Sequence, residues 1–402
     1  MRYVIIGGGV AGTTAAEELR KLDSESEITL ISQEQHPLYS RVLLPHYLVG
    51  KVERDRVFLK KEQWYGEQKI EWLRGDVVEK LDVQNKFVGL NSGREIEYDK
   101  LLIASGVDAR VIEDRLRGVV HFRTLDDTDY LSQLLNEKTK QTKACIYGGG
   151  FIACDLLEIF AYHQLPTSIA FRGPYFWSRV FDQETGQLLN EHLEKQGVKV
   201  YPQAKWLDLV GDKDLQGLRT DQGQIDCELL AVGVGVVPDL SFIKEAGVKI
   251  NQGILTNQFL ETNAPNVYAA GDICEFYDVI VGRQLRIGTW MNSMSQGRVA
   301  AKNMIGDKTE FKLVSSYATN ALGLEIIFVG DTNREQADQI VVRGSKAQGG
   351  VTQLFVKDNR LVGATIVGRN TDRPPITKLI QEKVEILDKL EKWKDVSESI
   401  NL

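Results

Sequence analysis

Residues 3–12 read YVIIGGGVAG, and this stretch decides the fold of the chain. After a short apolar strand, Gly7, Gly9 and Gly12 follow with the spacing G-x-G-x-x-G, and the next ten residues have helical composition. In such a turn the first glycine allows a tight bend, the second lets backbone approach a pyrophosphate, and the third lets helix and strand pack closely. Because the start of a helix favours negative charge, the stretch predicts a dinucleotide-binding fold.

An acid follows this turn at the distance expected for a ribose contact. The strand predicted over residues 28–31 leads to Glu34, which lies 22 residues beyond Gly12. A carboxylate at this position accepts hydrogen bonds from ribose hydroxyl groups. The alternative is a glycine turn in another kind of α/β domain, but the sequence of strand, turn, helix and acid favours a dinucleotide.

The same pattern recurs in the middle of the chain. Residues 144–147 form a predicted strand, Gly148, Gly150 and Ala153 occupy the three turn positions, and an apolar helix is predicted over residues 155–162. Two folds of this kind in one chain predict two bound dinucleotides.

The second copy differs from the first in the residue at the end of its second strand. Its second predicted strand, residues 167–171, ends in Arg172 instead of an acid. A guanidinium matches a 2′-phosphate, whereas an acid accepts from a free 2′-hydroxyl, so Arg172 slightly favours NADPH over NADH. The alternative, a solvated loop arginine, leaves the nucleotide choice open.

Composition excludes several classes of protein. The 402 residues carry 49 Lys and Arg against 56 Asp and Glu, a net charge of -7 without a run of five like charges, which argues against a nucleic-acid partner. The four cysteines form no CxxC pair and the five histidines show no ligand spacing, so neither a disulfide framework nor a metal site is predicted. No apolar stretch approaches the ~20 residues of a membrane span, and we predict a cytoplasmic protein.

Three later segments extend the pattern into a family resemblance. They are YDKLLIASG at residues 98–106, LAVGVGVVP at residues 230–238 and NVYAAGD at residues 266–272. Together with the two glycine turns, they make roughly residues 1–310 resemble the pyridine nucleotide–disulfide oxidoreductase superfamily, the flavoprotein reductases with two dinucleotides. The resemblance implies that the first fold binds FAD and the second binds NAD(P)H.

The resemblance also implies roles for single residues. Asp272 matches an aspartate whose carboxylate holds the ribityl chain of FAD. The segments that contain Ala104, Gly106 and Gly235 match those that close the crossovers between the two folds, and we count these residues as cofactor-binding.

The segment Tyr39-Ser40-Arg41 narrows the resemblance to nitrite reductase flavoproteins and to rubredoxin and ferredoxin reductases, and Arg41 becomes a further cofactor-binding candidate. Disulfide reductases of the superfamily carry a CxxxxC pair in this region, but residues 13–70 contain no cysteine. We therefore expect electrons to pass from flavin directly to an external acceptor, namely ferredoxin, rubredoxin, a partner redox subunit or oxygen. The alternative is a nucleotide-sensing flavoprotein, or a subunit of a larger redox complex, with slow intrinsic turnover.

Three residues are candidates for a catalytic role by resemblance. Trp290 matches a tryptophan at a helix start beside the flavin, and Asp155 stands where many relatives have a glutamate. His46 falls near the position of a lysine that faces this glutamate in those relatives, so the pair is lost or rebuilt here. The alternatives are a core role for Trp290 and a surface or packing role for His46. Cys154 follows the second turn, where a lone thiol is usually inert.

The predicted fold class is α/β, with two Rossmann-like domains of the glutathione-reductase type and a small α+β domain. The last part is predicted to contain a β-hairpin turning at Asp358-Asn359 and an amphipathic helix over residues 376–393. In relatives such a domain covers the flavin edge or forms a dimer contact, so a homodimer is one option. The predicted bounds are residues 1–110 and 240–309 for the FAD domain, 111–239 for the NAD(P) domain and 310–402 for the C-terminal interface domain.

Overall fold

The computed structural model describes residues 1–112 and 115–401, which form two compact units. The first unit comprises Met1–Leu43, Glu53–Asp108 and Val237–Ser315. The second comprises Leu44–Val52, Ala109–Val236 and Ser316–Leu402. The short segment Leu44–Val52 thus belongs to the second unit, and the three-domain division predicted from the sequence stays a prediction.

The helices and strands follow in chain order. Up to the first crossover they are β1 (Arg2–Ile6), α1 (Val10–Leu22), β2 (Glu27–Ser32), α2 (Leu44–Leu48), α3 (Glu62–Glu67), β3 (Ile70–Arg74), β4 (Val78–Asp82), β5 (Phe87–Leu90), β6 (Glu95–Glu97), β7 (Lys100–Ile103) and β8 (Asp108–Ala109). The middle of the chain contains β9 (Val119–His121), α4 (Leu125–Glu137), β10 (Ala144–Tyr147), α5 (Phe151–Tyr162), β11 (Thr167–Phe171), α6 (Gln183–Lys195), β12 (Lys199–Pro202), β13 (Trp206–Gly211), β14 (Leu215–Thr220), β15 (Gly223–Asp226), β16 (Leu229–Val232) and β17 (Val236–Val237). The remainder contains α7 (Ser241–Glu245), β18 (Ile254–Thr256), β19 (Val267–Ala269), β20 (Cys274–Asp278), β21 (Arg283–Leu285), α8 (Trp290–Ile305), β22 (Ser316–Ala321), β23 (Leu324–Gly330), β24 (Gln339–Ser345), β25 (Gly350–Lys357), β26 (Arg360–Val367), α9 (Arg373–Glu382) and α10 (Leu390–Trp393).

A parallel sheet forms the centre of the first unit. Its strand order is β19-β7-β1-β2-β3, and at the end of β1 the residue Ile6 lies opposite Ile31 on one side and Ile103 on the other. Strands β19, β7 and β1 are almost wholly apolar and buried, as expected when helices cover both faces of a parallel sheet. Because β1 lies between β2 and β7, the turn after Ile6 opens at the point where ligands bind in such sheets.

Close packing of helices α1 and α8 in this unit depends on glycine. A Cβ at Gly297 would lie 2.3 Å from the carbonyl oxygen of Ala11, and one at Gly12 would lie 1.9 Å from the carbonyl oxygen of Gly7. No side chain fits at either distance, so these two glycines let α1 lie directly against α8 and against its own preceding turn.

The second unit repeats the parallel arrangement. Its sheet has the order β12-β11-β10-β16-β9, and Tyr147 at the end of β10 lies opposite Ala170 and Val232. The two parallel sheets, each with its glycine turn at the end of the central strand, confirm the predicted α/β fold class. A small antiparallel sheet, β13-β14-β15, adds to this unit.

The last part of the chain forms an antiparallel sheet with the order β22-β23-β26-β25-β24. The predicted turn joins β25 to β26, and both Asp358 and Asn359 have positive φ, 47° and 60°, as a tight two-residue hairpin requires. The predicted single helix over residues 376–393 is wrong, because α9 ends at Glu382 and α10 begins only at Leu390. Between them the chain turns through Lys383 and pairs with the hairpin, where Ile386 N–H donates to the Asn359 carbonyl at 3.0 Å.

A buried arginine ties the C-terminal segment to this sheet. Arg343 on β24 is 3% exposed, and its Nε donates to the Asp372 carboxylate at 3.3 Å. Its two terminal nitrogens donate to four main-chain carbonyls of the segment 393–398, at 2.5 to 3.2 Å. Thr352 and Arg369 also donate to Asp372, so its Oδ2 accepts from three side chains.

We expect Arg343→Met to lower the free energy of unfolding by about 3–5 kcal/mol, because several main-chain carbonyls lose their donor and the buried Asp372 carboxylate loses one of its two guanidinium partners. Urea denaturation of the flavin-free protein measures this change. The control is Lys378→Met, which breaks an exposed ion pair with Glu382 and should change stability by less than about 1 kcal/mol. Equal effects of the two substitutions would contradict the interpretation.

Candidate functional site

The first glycine turn leaves open space above the start of helix α1. Gly9 caps this helix without a side-chain hydrogen bond, and a Cβ built on it would meet no protein atom within 4 Å. Gly7 has φ +113°, and its own Cβ would lie 2.2 Å from the carbonyl oxygen of Ala104, which follows β7. Two residues later Gly106 also has positive φ, at 73°. The turn is therefore packed closely against the main chain at Ala104, whereas the space next to Gly9 at the start of α1 is empty. A pyrophosphate fits in that space.

Two neighbouring side chains hold Glu34 in place. The Tyr39 hydroxyl donates to Oε2 of Glu34 at 2.5 Å, and Nη2 of Arg41 donates to Oε1. The guanidinium also lies 5.0 Å from the centre of the Tyr39 ring. The Glu34 side chain is 28% exposed, so its oxygens keep lone pairs for a ribose diol.

Arg41 adds a fixed positive charge beside Glu34. Burial by itself lowers the pKa of this guanidinium, but the carboxylate of Glu34 more than offsets burial and raises the pKa above its usual value, with a smaller contribution from Asp272. Its Nε is buried without a hydrogen-bond partner among the residues that the structure describes. An N–H group without a partner on a charged side chain can donate to an anionic ligand.

Asp272 belongs to the same unit and lies beside the first turn of helix α8. It comes shortly after β19, and the Ser293 hydroxyl donates to its Oδ1 at 3.0 Å. Gly288 approaches the carboxylate closely, since a Cβ there would lie 3.1 Å from Cγ of Asp272. This contact and the Ser293 hydroxyl fix the orientation of a carboxylate that can accept hydrogen bonds from a polyol chain.

Trp290 begins helix α8, where the side chain of Thr289 caps the helix by accepting from Asn292 N–H at 3.3 Å. The indole is partly exposed and makes no ring contact with another aromatic residue of the described chain. Its predicted role beside the flavin stays a prediction.

The second glycine turn has the same construction as the first. Gly148 has φ +137°, and its Cβ would lie 2.1 Å from the carbonyl oxygen of Gly233, while Gly150 caps helix α5. Ala153, fully buried, stands at the third turn position. Gly235 has φ +102° and accepts from Arg110 N–H at 3.0 Å, so the second crossover is closed by main-chain contacts.

Asp155 lies within helix α5, just beyond this turn. Burial, and then the nearby carboxylate of Glu158, raise the pKa of Asp155 to about 7. Its neighbour Cys154 is fully buried, and burial raises the pKa of this thiol far above the range in which it ionises. All four cysteines are buried and unpaired, so none is placed as a surface thiol.

His46 and Arg172 are both exposed in the second unit. His46 lies on helix α2, whose neighbour residues Tyr47 and Leu48 bond to α4 and to the end of α5 through Asp129 and His163, at 3.4 and 3.0 Å. Arg172 follows β11 and has no hydrogen bond or ion pair with the residues the structure describes. Its charge is therefore available to a ligand, and both roles stay predictions.

Sequence patterns did not identify the contacts that orient these groups. Tyr39 belongs to the segment that narrows the resemblance, but neither its bond to Glu34 nor that of Ser293 to Asp272 can be read from a motif. The described residues contain no helix long and apolar enough to cross a membrane, and no group of three or more His, Cys, Asp or Glu that could hold a metal ion.

Known proteins resemble this chain along its whole length. It is 29% identical to nitrite reductase [NAD(P)H] of Bacillus subtilis, over 96% of this chain but 48% of that protein. It is 30% identical to the ferredoxin–NAD(+) reductase subunit of the benzene 1,2-dioxygenase system of Pseudomonas putida, over 98% of this chain and 96% of that one. The chain thus spans about half the length of the nitrite reductase.

Solved structures agree with the fold. A ferredoxin reductase from Rhodopseudomonas palustris superposes with a TM-score of 0.85 at 26% identity, covering 99% of this chain and 98% of that one. Residues 1–297 match the family described as pyridine nucleotide-disulphide oxidoreductase, which includes both glycine turns and Asp272. This match covers well over half of the sequence, and the chain belongs to the pyridine nucleotide-disulphide oxidoreductase family.

Proposed function

We propose that this chain is an FAD-dependent oxidoreductase that passes electrons from NAD(P)H to an external acceptor without a redox disulfide. The observation that carries the proposal is the pair of open glycine turns, each at the end of the central strand of a parallel sheet. Bound FAD supplies the redox chemistry, because it accepts a hydride equivalent and releases electrons singly or in pairs. The protein binds and orients the two nucleotides.

In the first unit, different residues bind different parts of FAD. The N-terminus of α1 and the Arg41 guanidinium offer positive charge to the pyrophosphate, and Glu34 accepts from the adenosine ribose. Asp272, held by Ser293, accepts from the ribityl hydroxyls. In the second unit the N-terminus of α5 takes the pyrophosphate of NAD(P)H, with Asp155 one turn further along the helix.

The acceptor that fits best is a small iron–sulfur carrier such as ferredoxin or rubredoxin. The ferredoxin–NAD(+) reductase subunit of Pseudomonas putida matches this chain over 98% of its residues, which supports a small carrier protein as the acceptor. A partner redox subunit is the second candidate, favoured by the match to only about half of a nitrite reductase. The buried cysteines support direct transfer, because thiols without access to solvent are inert.

For the nucleotide we propose a preference for NADPH. Arg172 is exposed and makes no bond to the described residues, so its guanidinium can pair with a 2′-phosphate. His46, exposed on α2, is proposed as a cation near the reacting rings in place of a lysine.

Gly9→Val tests the FAD site. The added side chain points into space that no protein atom occupies, so we expect a folded protein that retains less than about a tenth of the wild-type flavin, because the path of the pyrophosphate is filled. Absorbance of the purified protein gives flavin per chain, which should be about one FAD in the wild type. Gly66→Val, at another open glycine, is the control and should keep its flavin. Full FAD occupancy in Gly9→Val would exclude this turn as the site.

Arg172→Glu tests the nucleotide preference. A charge-assisted contact to a 2′-phosphate contributes ~1.5–3 kcal/mol, so NADPH should exceed NADH roughly tenfold to a hundredfold in kcat/KM. The glutamate should reverse this order, because it repels the phosphate and accepts from a 2′-hydroxyl. Stopped-flow reduction of the flavin with each nucleotide measures the preference without knowledge of the acceptor. Equal use of both nucleotides by wild type and variant would show that Arg172 is only solvated.

The raised pKa of Asp155 predicts how stability depends on pH. Between about pH 4 and pH 7 the folded chain keeps this carboxyl protonated while the unfolded chain ionises it, so the free energy of unfolding falls as pH rises through that window. Asp155→Asn removes this loss, and its stability advantage over wild type should be larger at about pH 8 than at about pH 5 in urea denaturation. The exposed substitution Glu95→Gln is the control. An advantage independent of pH would refute the assignment to Asp155.

A further inference from the structure

An aromatic cluster surrounds the start of helix α5 in the second unit. We define it as Phe151, Trp177, Phe181, Tyr317 and Phe328. Phe151 is the first residue of the helix, and its ring centre lies 4.7 Å from that of Trp177 and 4.9 Å from those of Tyr317 and Phe328. The residue that follows the second glycine turn is therefore held by three other rings.

Two of these rings come from the C-terminal sheet. Tyr317 on β22 and Phe328 on β23 are direct cross-strand partners, stacked with ring centres 5.2 Å apart and planes 4° from parallel. Aromatic pairs of this kind fix each other's position beyond what simple burial does. The hairpin of β22 and β23 thus presents one rigid aromatic surface to Phe151.

Side chains of helices α5 and α6 hold the turn of this hairpin in place. Glu158 on α5 accepts from Leu322 N–H at 2.8 Å, and Nε2 of His192 on α6 donates to the carbonyls of Ala321 and Leu322, at 3.0 Å each. Leu322 has φ +53°, a conformation that leucine rarely adopts and that persists where its surroundings determine it. These bonds orient the hairpin on the helices that follow the second glycine turn.

Main-chain contacts hold Gly148, whose N–H donates to the Ala170 carbonyl at 2.9 Å, but the helix start at Gly150 has few neighbours. Among the described residues, a Cβ built on Gly150 would meet one neighbour within 4 Å, Nε1 of Trp177 at 3.9 Å, and that tryptophan packs against Phe151 and Phe328. An open turn that must present its N–H groups to a phosphate depends on its flanking residues for its position. The cluster supplies those contacts.

We infer that the hairpin of β22 and β23 is part of the pyridine-nucleotide site, with Tyr317 as a positioning residue that sets the phosphate-binding start of α5 through Phe151. The ligand is a dinucleotide that carries a pyrophosphate, and the inference rests on the proposed function of the second turn. The C-terminal sheet therefore contributes to nucleotide affinity.

Tyr317→Leu tests this inference in the FAD-loaded, full-length protein. Loss of the ring contact should weaken binding of oxidised NADP⁺, measured by titration against the flavin spectrum, about threefold to tenfold with unchanged flavin content. Tyr317→Phe should bind like wild type, because the hydroxyl has no hydrogen bond to the described residues and the ring is kept. The matched control is Leu361→Ala, a buried residue of β26 in the same sheet, which lowers the melting temperature without altering the cluster.

The outcomes separate the possibilities. A rise of threefold or more in the Kd of NADP⁺ for Tyr317→Leu, absent in Tyr317→Phe and in Leu361→Ala, supports the inference. A smaller rise, or an equal rise in Leu361→Ala, overturns it, since general loosening of the sheet then explains the effect. If neither NADPH nor NADH reduces the flavin of the wild-type protein, the proposed function is wrong. This outcome is measured on the wild type and is therefore distinct from the outcomes for the Tyr317 variants.

Discussion

Approach of main chain to main chain at two glycines is the constraint on which the rest of the structure depends. Gly7 lies so close to Ala104, and Gly148 so close to Gly233, that a Cβ at either position would fall about 2 Å from a carbonyl oxygen. These contacts bring the end of each central strand against the neighbouring strand that leads to a crossover. The open helix starts above Gly9 and Gly150 exist because the turns below them are this tight.

The two glycine turns are alike in their main chain but differ in the side chains that surround them. In the first unit, charged and hydroxyl side chains surround the turn, with Glu34, Arg41 and Asp272 oriented by direct hydrogen bonds. In the second unit, aromatic rings surround the turn and an arginine stands exposed beyond it. A polar, interlocked site fits a prosthetic group that stays, whereas a turn held by aromatic packing fits a substrate that must leave.

Much of the fold follows from local sequence. The strands at residues 144–147 and 167–171 were predicted with the bounds observed, because apolar runs next to glycine turns have few other solutions. The C-terminal helix was predicted as one element and is two, since its apolar spacing continues across Lys383 while the chain turns back to pair with the hairpin. A helical period records which side chains are buried but not where tertiary pairing interrupts the helix. Tyr39 and Arg41 lie close to Glu34 in the sequence, but their bonds to it are seen only in the folded chain. The packing of Tyr317 on Phe151 joins residues far apart in the chain that share no motif.

The anchor at Arg343 has a consequence for how the sequence can drift over evolutionary time. Within the segment 393–398 its guanidinium contacts main-chain carbonyls alone, so the side chains there take no part in the bonds. Related chains can therefore change the identity of most residues in this segment and keep the anchor. Arg343 itself has no replacement, because lysine lacks the planar fork that reaches several carbonyls and Asp372 together. Substitutions should accumulate in the tail and be purged at the arginine.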